Sequence, residues 1–432
     1  MSMQTNEPPD KNKDSHSLRF GRKPIKVMEA QNRIRSHIQT GKVETIPLTE
    51  SDGRYLAIDI LASDDLPHFR RSGMDGFAIY TADTQKASRE NPVWLEVIEE
   101  IPCGSVPRKT ISSGKATRIM TGAAVPDGAD AVVMIEMTNT LEKDGKTYIS
   151  IPRAIPQGEN IAPIGSEINK GTLILPKGTK INAGVIALLA TFGYAEVSVY
   201  QQPKVAIFAT GSELLDVDEP LVPGKIRNSN GYLLLSLLQQ AGAKPISQLK
   251  LPDDVQQAKS AILQALDEVD FVITTGGVSV GDYDILVDIF AEWDGQMLFN
   301  KLAMRPGSPT TVGVRNQQFL FALSGNPGAC FVGFELFVRP TIWGMQGKTN
   351  LELPMFTATL LEDFSKPSPF DRYVRGITSY QNGKVYVRPV GVEKSSITLT
   401  IKDADCLIII PAGGRGASTG DIVQAISLKN ME

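Results

Sequence analysis

Apolar and polar positions alternate with two different rhythms along the chain. From about residue 203 to 342, short apolar runs of strand length (KVAIFA, PISQLKL, VDFVIT, QFLFAL) are interleaved with stretches of helical spacing. NGYLLLSLLQQAG reads as a helix stopped at Gly242, and a second helix is predicted from about Asp253 to Asp267. In ILVDIFAEW the apolar positions 285, 286, 289, 290 and 293 share one helical face, and CFVGFELFV reads as a further helix. Alternating β and α elements predict a mostly parallel sheet with helices on both faces, joined by right-handed crossovers.

The flanking stretches have another texture. Between about 62 and 158, β-like runs such as ATRIM and DAVVMIEM are broken by Gly, Pro and Asp, which predicts a β-rich unit. It reads as an insertion, because a mixed pattern resumes in NAGVIALLATFGYAEVSVY, a helix from near Asn182 to Gly193 and then a strand. A helix is predicted from Val27 to about Thr40, with Gly41 as its stop. After residue 350 the short runs FTATLL, KVYVRPV and CLIIIPA, with Gly-rich turns, predict a small β-barrel or sandwich. The polar residues 1–23 read as a disordered tail. The expected class is therefore α/β plus β: a multi-domain chain with a central doubly wound α/β/α domain at 203–345 and a β-rich inserted domain at 62–158. Residues 24–61 and 159–202 would form a linking, dimerising domain, and 346–432 a C-terminal β-barrel.

Composition narrows the chemistry. A net charge of −4 offers no electrostatic argument for nucleic acid. Cys103, Cys330 and Cys406 are far apart and form no CxxC pair, and His16, His37 and His68 are equally scattered. A zinc or copper site is not expected; a metal here would be a hard ion held by carboxylates. No apolar run approaches the ~18 residues of a membrane span, and the N-terminus has no signal-like apolar core, so a soluble cytoplasmic protein is expected.

Three loops should lie beyond the carboxyl ends of the central strands, where ligands of open α/β sheets bind: ATGSE (209–213), TTGGVSVGD (274–282) and LSGNPGA (323–329). Glycines admit a ligand close to the backbone, and N–H groups at a helix start favour an anion. Neither the G-x-G-x-x-G spacing nor a P-loop occurs. Asp282 and Asp284 beside such a loop read either as helix caps or as metal ligands, since Mg²⁺ between carboxylate and phosphate would remove their repulsion. Glu213 could add a second ligand. Lys301 and Arg305 of KLAMRPGSP place two cations near the same edge, and Asp75 stands between glycines in RSGMDGFAIY.

The ordered series SGMDGFA, RIMTGAAVPDGADAVVMIE, GENIAPIGSEI, ATGSEL, GKIRNSN, TTGGVSVGDYD, KLAMRPGSP and LSGNPGA resembles the molybdopterin molybdenumtransferases, the MoeA proteins and the E domain of gephyrin. The resemblance runs from about residue 24 to the end. It implies an elongated four-domain homodimer that converts adenylylated molybdopterin and molybdate to molybdenum cofactor and AMP with Mg²⁺, downstream of a molybdopterin adenylyltransferase. It also implies roles. Asp75, Thr121, Glu213, Asp282, Pro306 and Pro309 fall on positions the family uses for activity. Glu213 and Asp282 would hold metal, and Asp75 would position substrate or shuttle a proton. Thr275, Gly276, Gly277 and Ser279 would meet phosphate and pterin, joined by Ser324 and Asn326 of the last loop. Lys301 and Arg305 would attract molybdate. The chain departs from the usual pattern at Gly73, Ser212, Ser324 and Ala162–Ile164. The adenylyltransferase itself and a non-catalytic gephyrin-like scaffold are the rival readings.

Overall fold

The computed structural model describes residues 23–251, 254–277, 289–290 and 294–429. The chain forms two compact units. One is built from the residues up to Ile58, Lys177–Ala187 and the chain from Ala195 onward; the other comprises Asp59–Pro176 and Leu188–Tyr194.

The heart of the first unit is a six-stranded sheet. Its order is Lys244–Lys250, Lys204–Ala209, Phe271–Thr275, Gln318–Leu323, Thr311–Arg315, Gln296–Phe299. The first four strands are parallel, as the alternation of elements predicts. Thr311–Arg315 runs against them and Gln296–Phe299 pairs antiparallel to it, a reversal toward the edge that the strand–helix rhythm does not reveal. Successive side chains of a strand point to opposite faces, and here both faces are apolar because both are covered. Val205 and Ile207 join Leu234 and Leu238 of one helix in one core, whereas Ala206 and Phe208 join Ala258, Ile262 and Leu266 of another in a second core.

The helices begin and end on local chemistry. Ser229–Ala241 starts where Asn228 accepts a bond from Gly231 N, and stops at Gly242, whose φ of 88° is left-handed. Val255–Leu266 starts on Asp254, which accepts from Gln257 N. Helix Val27–Arg35 is shorter than expected. Beyond it, Ser36 Oγ donates to the Arg33 carbonyl at 2.9 Å and the His37 ring approaches the same oxygen at 2.9 Å, so polar side chains compete for the helix's last acceptors. The CFVGFELFV helix instead extends through Pro327–Gly333, Phe334–Val338 and Arg339–Met345. Its buried Arg339 is held bidentately by Glu335 at 2.5 and 2.8 Å.

The C-terminal part is a closed five-stranded barrel: Asp371–Gln381, Lys384–Pro389, Met355–Leu360, Ile422–Ser427 and Cys406–Ile410, the last pairing back onto the first. Leu360, Val374, Val387, Ile408 and Ala425 fill it. Its sheet also recruits Met304–Arg305, from the KLAMRPGSP segment, in parallel with the start of Asp371–Gln381.

The second unit contains another six-stranded sheet, with Gly76–Ile79 between Ala131–Met134 and Lys115–Ile119. Phe77 and Ile79 enter one core and Ala78 the other, so this strand too is covered on both faces. Among the described residues, no helix is long and apolar enough to cross a membrane.

Candidate functional site

In the central sheet, register places Ala209 beside Thr275 and Thr275 beside Leu323. The three glycine loops therefore leave the sheet from one row of adjacent, parallel carboxyl ends. Thr210 N donates to the Thr275 carbonyl at 3.0 Å, and Gly276 N donates to the Leu323 carbonyl at 3.1 Å. Gly276 has φ +95°, and a Cβ there would lie 2.5 Å from Thr210 Oγ1 and 2.7 Å from its carbonyl oxygen. A Cβ on Gly325 would lie 3.3 Å from Gly276 Cα. Glycine is thus demanded twice over at position 276, by backbone conformation and by the neighbouring loop.

Thr275 and Ser324 are buried, while Gly276 and Gly277 are half-buried and Asn326 is exposed. Glu213 is exposed, and its carboxylate folds back over Gly211, where a Cβ would meet it at 2.4 Å. No described residue pairs with that carboxylate, so hard oxygen donors stand open at this loop, as a divalent cation requires. Among the described residues no group of three or more His, Cys, Asp or Glu gathers as a metal cage. Asp282, Asp284 and Ser279 lie outside the described residues.

The cationic segment is folded against this edge of the same unit. Leu302 N donates to the Ser308 carbonyl at 2.8 Å, and Ser308 Oγ donates to the Leu302 carbonyl at 2.7 Å, closing the loop that carries Arg305, Pro306 and Pro309. Lys301 is half-buried and Arg305 exposed. Strand pairing sets Arg305 directly opposite Arg372 of the barrel. Like charges in that position repel. Arg372 is drawn below its ordinary value first by burial and then by the charge of Arg305, against the opposing pull of Glu393. Nearby, Arg375 is fully buried; its Nε donates to Thr400 Oγ1 at 2.9 Å and one terminal nitrogen donates to the Lys394 carbonyl at 3.0 Å. Glu393 stands 3.0 Å from the same guanidinium, and burial raises its carboxyl despite the surrounding cations. Arg375 reaches the third glycine loop, because Gly328 leaves the space its guanidinium fills. Sequence reasoning missed Arg372 and Arg375. The available signal was an arginine at two positions of the strand run DRYVRG, among residues otherwise suited to a barrel interior.

In the other unit, Asp75 and Thr121 come together although 46 positions separate them. Thr121 donates to Asp75 Oδ1 twice, from its backbone N at 2.6 Å and from Oγ1 at 2.7 Å. These two bonds, backbone first, hold the carboxyl below its ordinary value of 3.8, with a smaller contribution from Arg118. Arg118 braces the loop: it donates to the Gly76 carbonyl at 2.9 Å and lies 5.3 Å over the Phe77 ring. Gly76 is required here because a Cβ would sit 1.9 Å from the Val133 carbonyl oxygen. The same aspartate–threonine clasp recurs at Asp363–Thr419 and Asp405–Thr378. The clasp alone is therefore a structural device. What sets Asp75 apart is its place in an exposed loop between two glycines.

Three family models together span most of the chain. Residues 25–193 match the MoeA N-terminal region (domain I and II), residues 206–343 a probable molybdopterin binding domain, and residues 357–428 the MoeA C-terminal region (domain IV). The molybdopterin molybdenumtransferase of Bacillus subtilis is 48% identical over 408 residues, covering 94% of this chain and 95% of the relative. The chain belongs to the MoeA family. Another molybdopterin molybdenumtransferase, from Staphylococcus epidermidis, is 46% identical over 94% of this chain and 96% of the relative. The crystal structure of a molybdopterin biosynthesis MoeA protein from Pyrococcus horikoshii superposes with a TM-score of 0.80 at 32% identity, covering 94% of this chain and all of that one. The MoeA resemblance read from the ordered motifs is thus borne out along nearly the whole chain, and the central α/β domain and C-terminal barrel with it.

Proposed function

We propose that this chain inserts molybdenum during molybdenum cofactor biosynthesis, taking adenylylated molybdopterin and molybdate as substrates and releasing AMP. The observation that carries the reading is the row Ala209–Thr275–Leu323, from which three glycine loops diverge beside an opposed pair of arginines. The full-length relation to molybdopterin molybdenumtransferases supports it.

Each part has a physical task. Thr275, Gly276, Gly277 and Ser279, with Ser324 and Asn326, offer backbone and hydroxyl groups to the phosphates and pterin. Glycine at 276 lets the ligand approach the main chain. Lys301 and Arg305 attract molybdate, a tetrahedral dianion whose binding would also relieve the repulsion between Arg305 and Arg372. Pro306 and Pro309 shape the loop carrying these cations. Glu213 and Asp282 would hold Mg²⁺, which when bound neutralises charge between carboxylates and phosphate. Asp75, whose carboxyl the Thr121 bonds hold below its ordinary value, would orient a substrate group or accept a proton.

The protein would act as a homodimer in the cytoplasm, supplied by a molybdopterin adenylyltransferase. Helix Ala183–Thr191 (AGVIALLAT) supports the dimer: it is apolar up to Thr191, yet only Leu189 is buried, while Val185, Ile186 and Leu188 are half-buried. An apolar helix left only partly covered is expected to find a partner. The division into residues 24–61 with 159–202, 62–158, 203–345 and 346–432 belongs to the same proposal.

The deciding experiment incubates purified protein with adenylylated molybdopterin, molybdate and Mg²⁺. Formation of AMP together with cofactor able to activate an apo-molybdoenzyme is the expected result. Conversion of unmodified molybdopterin and ATP to the adenylylated form would assign the chain to the preceding step instead.

A further inference from the structure

Helix Ser229–Ala241 starts beside the glycine loops, and its second residue, Asn230, is only 7% exposed. The Asn230 amide nitrogen donates to Thr275 Oγ1 at 2.8 Å and to the Gly325 carbonyl at 2.9 Å. Thr275 in turn donates to the Ser324 carbonyl at 3.3 Å. One side chain thus joins the end of the Phe271–Thr275 strand to the loop after Gln318–Leu323. Both N–H groups of the amide are used, while its Oδ1 is buried and has no hydrogen-bond partner among the described residues.

We propose that Asn230 is a positioning residue for the pterin-binding edge. It sets the spacing between Thr275 and Gly325, and so between the two loops that receive the ligand. This rests on the molybdopterin reading above. Its consequence is selective, because the cationic segment that would take molybdate is not bonded to Asn230.

The test compares wild type, Asn230→Ala, Asn230→Leu, Thr275→Val and the double variant of Asn230→Ala with Thr275→Val. Molybdopterin binding is measured by anaerobic fluorescence titration, and KM is measured for adenylylated molybdopterin and for molybdate. Asn230→Ala should raise the molybdopterin Kd and the KM of its adenylylated form about tenfold, the equivalent of one buried hydrogen bond. The molybdate KM should not move. Thr275→Val removes one acceptor of the Asn230 amide together with a hydroxyl placed at the ligand, so its own loss should be at least as large; Asn230→Leu, which keeps the side-chain size and removes both donors, should match Asn230→Ala even if the latter folds poorly. The double variant should be no worse than the weaker-binding single variant. Unchanged KM values with a smaller active fraction would reduce Asn230 to a structural residue and overturn the proposal, as would additive losses in the double variant. Wild-type protein that fails to bind molybdopterin at all would overturn the functional reading and this inference with it.

Discussion

Gly328→Ala tests whether the barrel's buried arginine is locked against the third glycine loop. The substitution is mild by local rules: the position is helical, and alanine should favour the helix by ~1 kcal/mol. The tertiary structure reverses that sign. A Cβ at 328 would lie 2.1 Å from one terminal nitrogen of Arg375, 2.7 Å from Cζ and 3.0 Å from the other nitrogen. Restoring ordinary contact near 3.5 Å requires the guanidinium to withdraw by about 1.4 Å. Its bonds to Thr400 at 2.9 Å and to the Lys394 carbonyl at 3.0 Å do not survive such a shift. Hydrogen bonds to a charged group are worth ~1.5–3 kcal/mol each, so the two together represent about 3–6 kcal/mol. After the helix gain, the net destabilisation should be about 2–5 kcal/mol. Denaturant unfolding followed by tryptophan fluorescence and circular dichroism measures it, with Arg375→Ala as the second background. Without the arginine, Gly328→Ala should cost nothing or stabilise slightly. An equal cost in both backgrounds, or a gain in the wild-type background, would refute the reasoning.

Neutral replacement of Lys301 and Arg305 together should raise the molybdate KM more than it lowers kcat, and the wild-type KM should itself rise with salt; an unchanged molybdate KM would assign these cations to structure alone. If Asp75 of one subunit completes the site containing Asp282 of the other, mixing the inactive variants Asp75→Asn and Asp282→Asn should restore about a quarter of wild-type activity, because about half the dimers are mixed and each has one intact site. No recovery, with exchange confirmed by mass-tagged subunits, would rule out the shared site. Because Thr121 lowers the Asp75 carboxyl, the clasp's stabilisation is fully present above the ordinary value of 3.8 and is lost as pH falls through the lower folded-state value. Thr121→Val should move the Asp75 titration, followed by carboxyl NMR, back toward that ordinary value; an unmoved titration would mean the hydroxyl bond contributes nothing.

Much of this protein was legible in the chain itself. Strands KVAIFA and QFLFAL, the helix stop at Gly242 and the three glycine loops are local facts, set by side-chain spacing and backbone freedom over a few residues. The ordered motifs sufficed to identify the family, because their sequence along the chain is specific even where each is not. Position in three dimensions was another matter. That Ala209, Thr275 and Leu323 share one row depends on strand order, and the two antiparallel edge strands carry no distinct periodicity. The pairing of Thr121 with Asp75, the opposition of Arg305 and Arg372, and the insertion of Arg375 beside Gly328 join residues dozens of positions apart. Local propensity is silent about such contacts, since they arise only when separate elements pack. The same holds for Asn230, which in the chain looks like one more polar residue near a helix start. Only packing of the Ser229–Ala241 helix against two neighbouring loops buries its amide and gives it both of its acceptors.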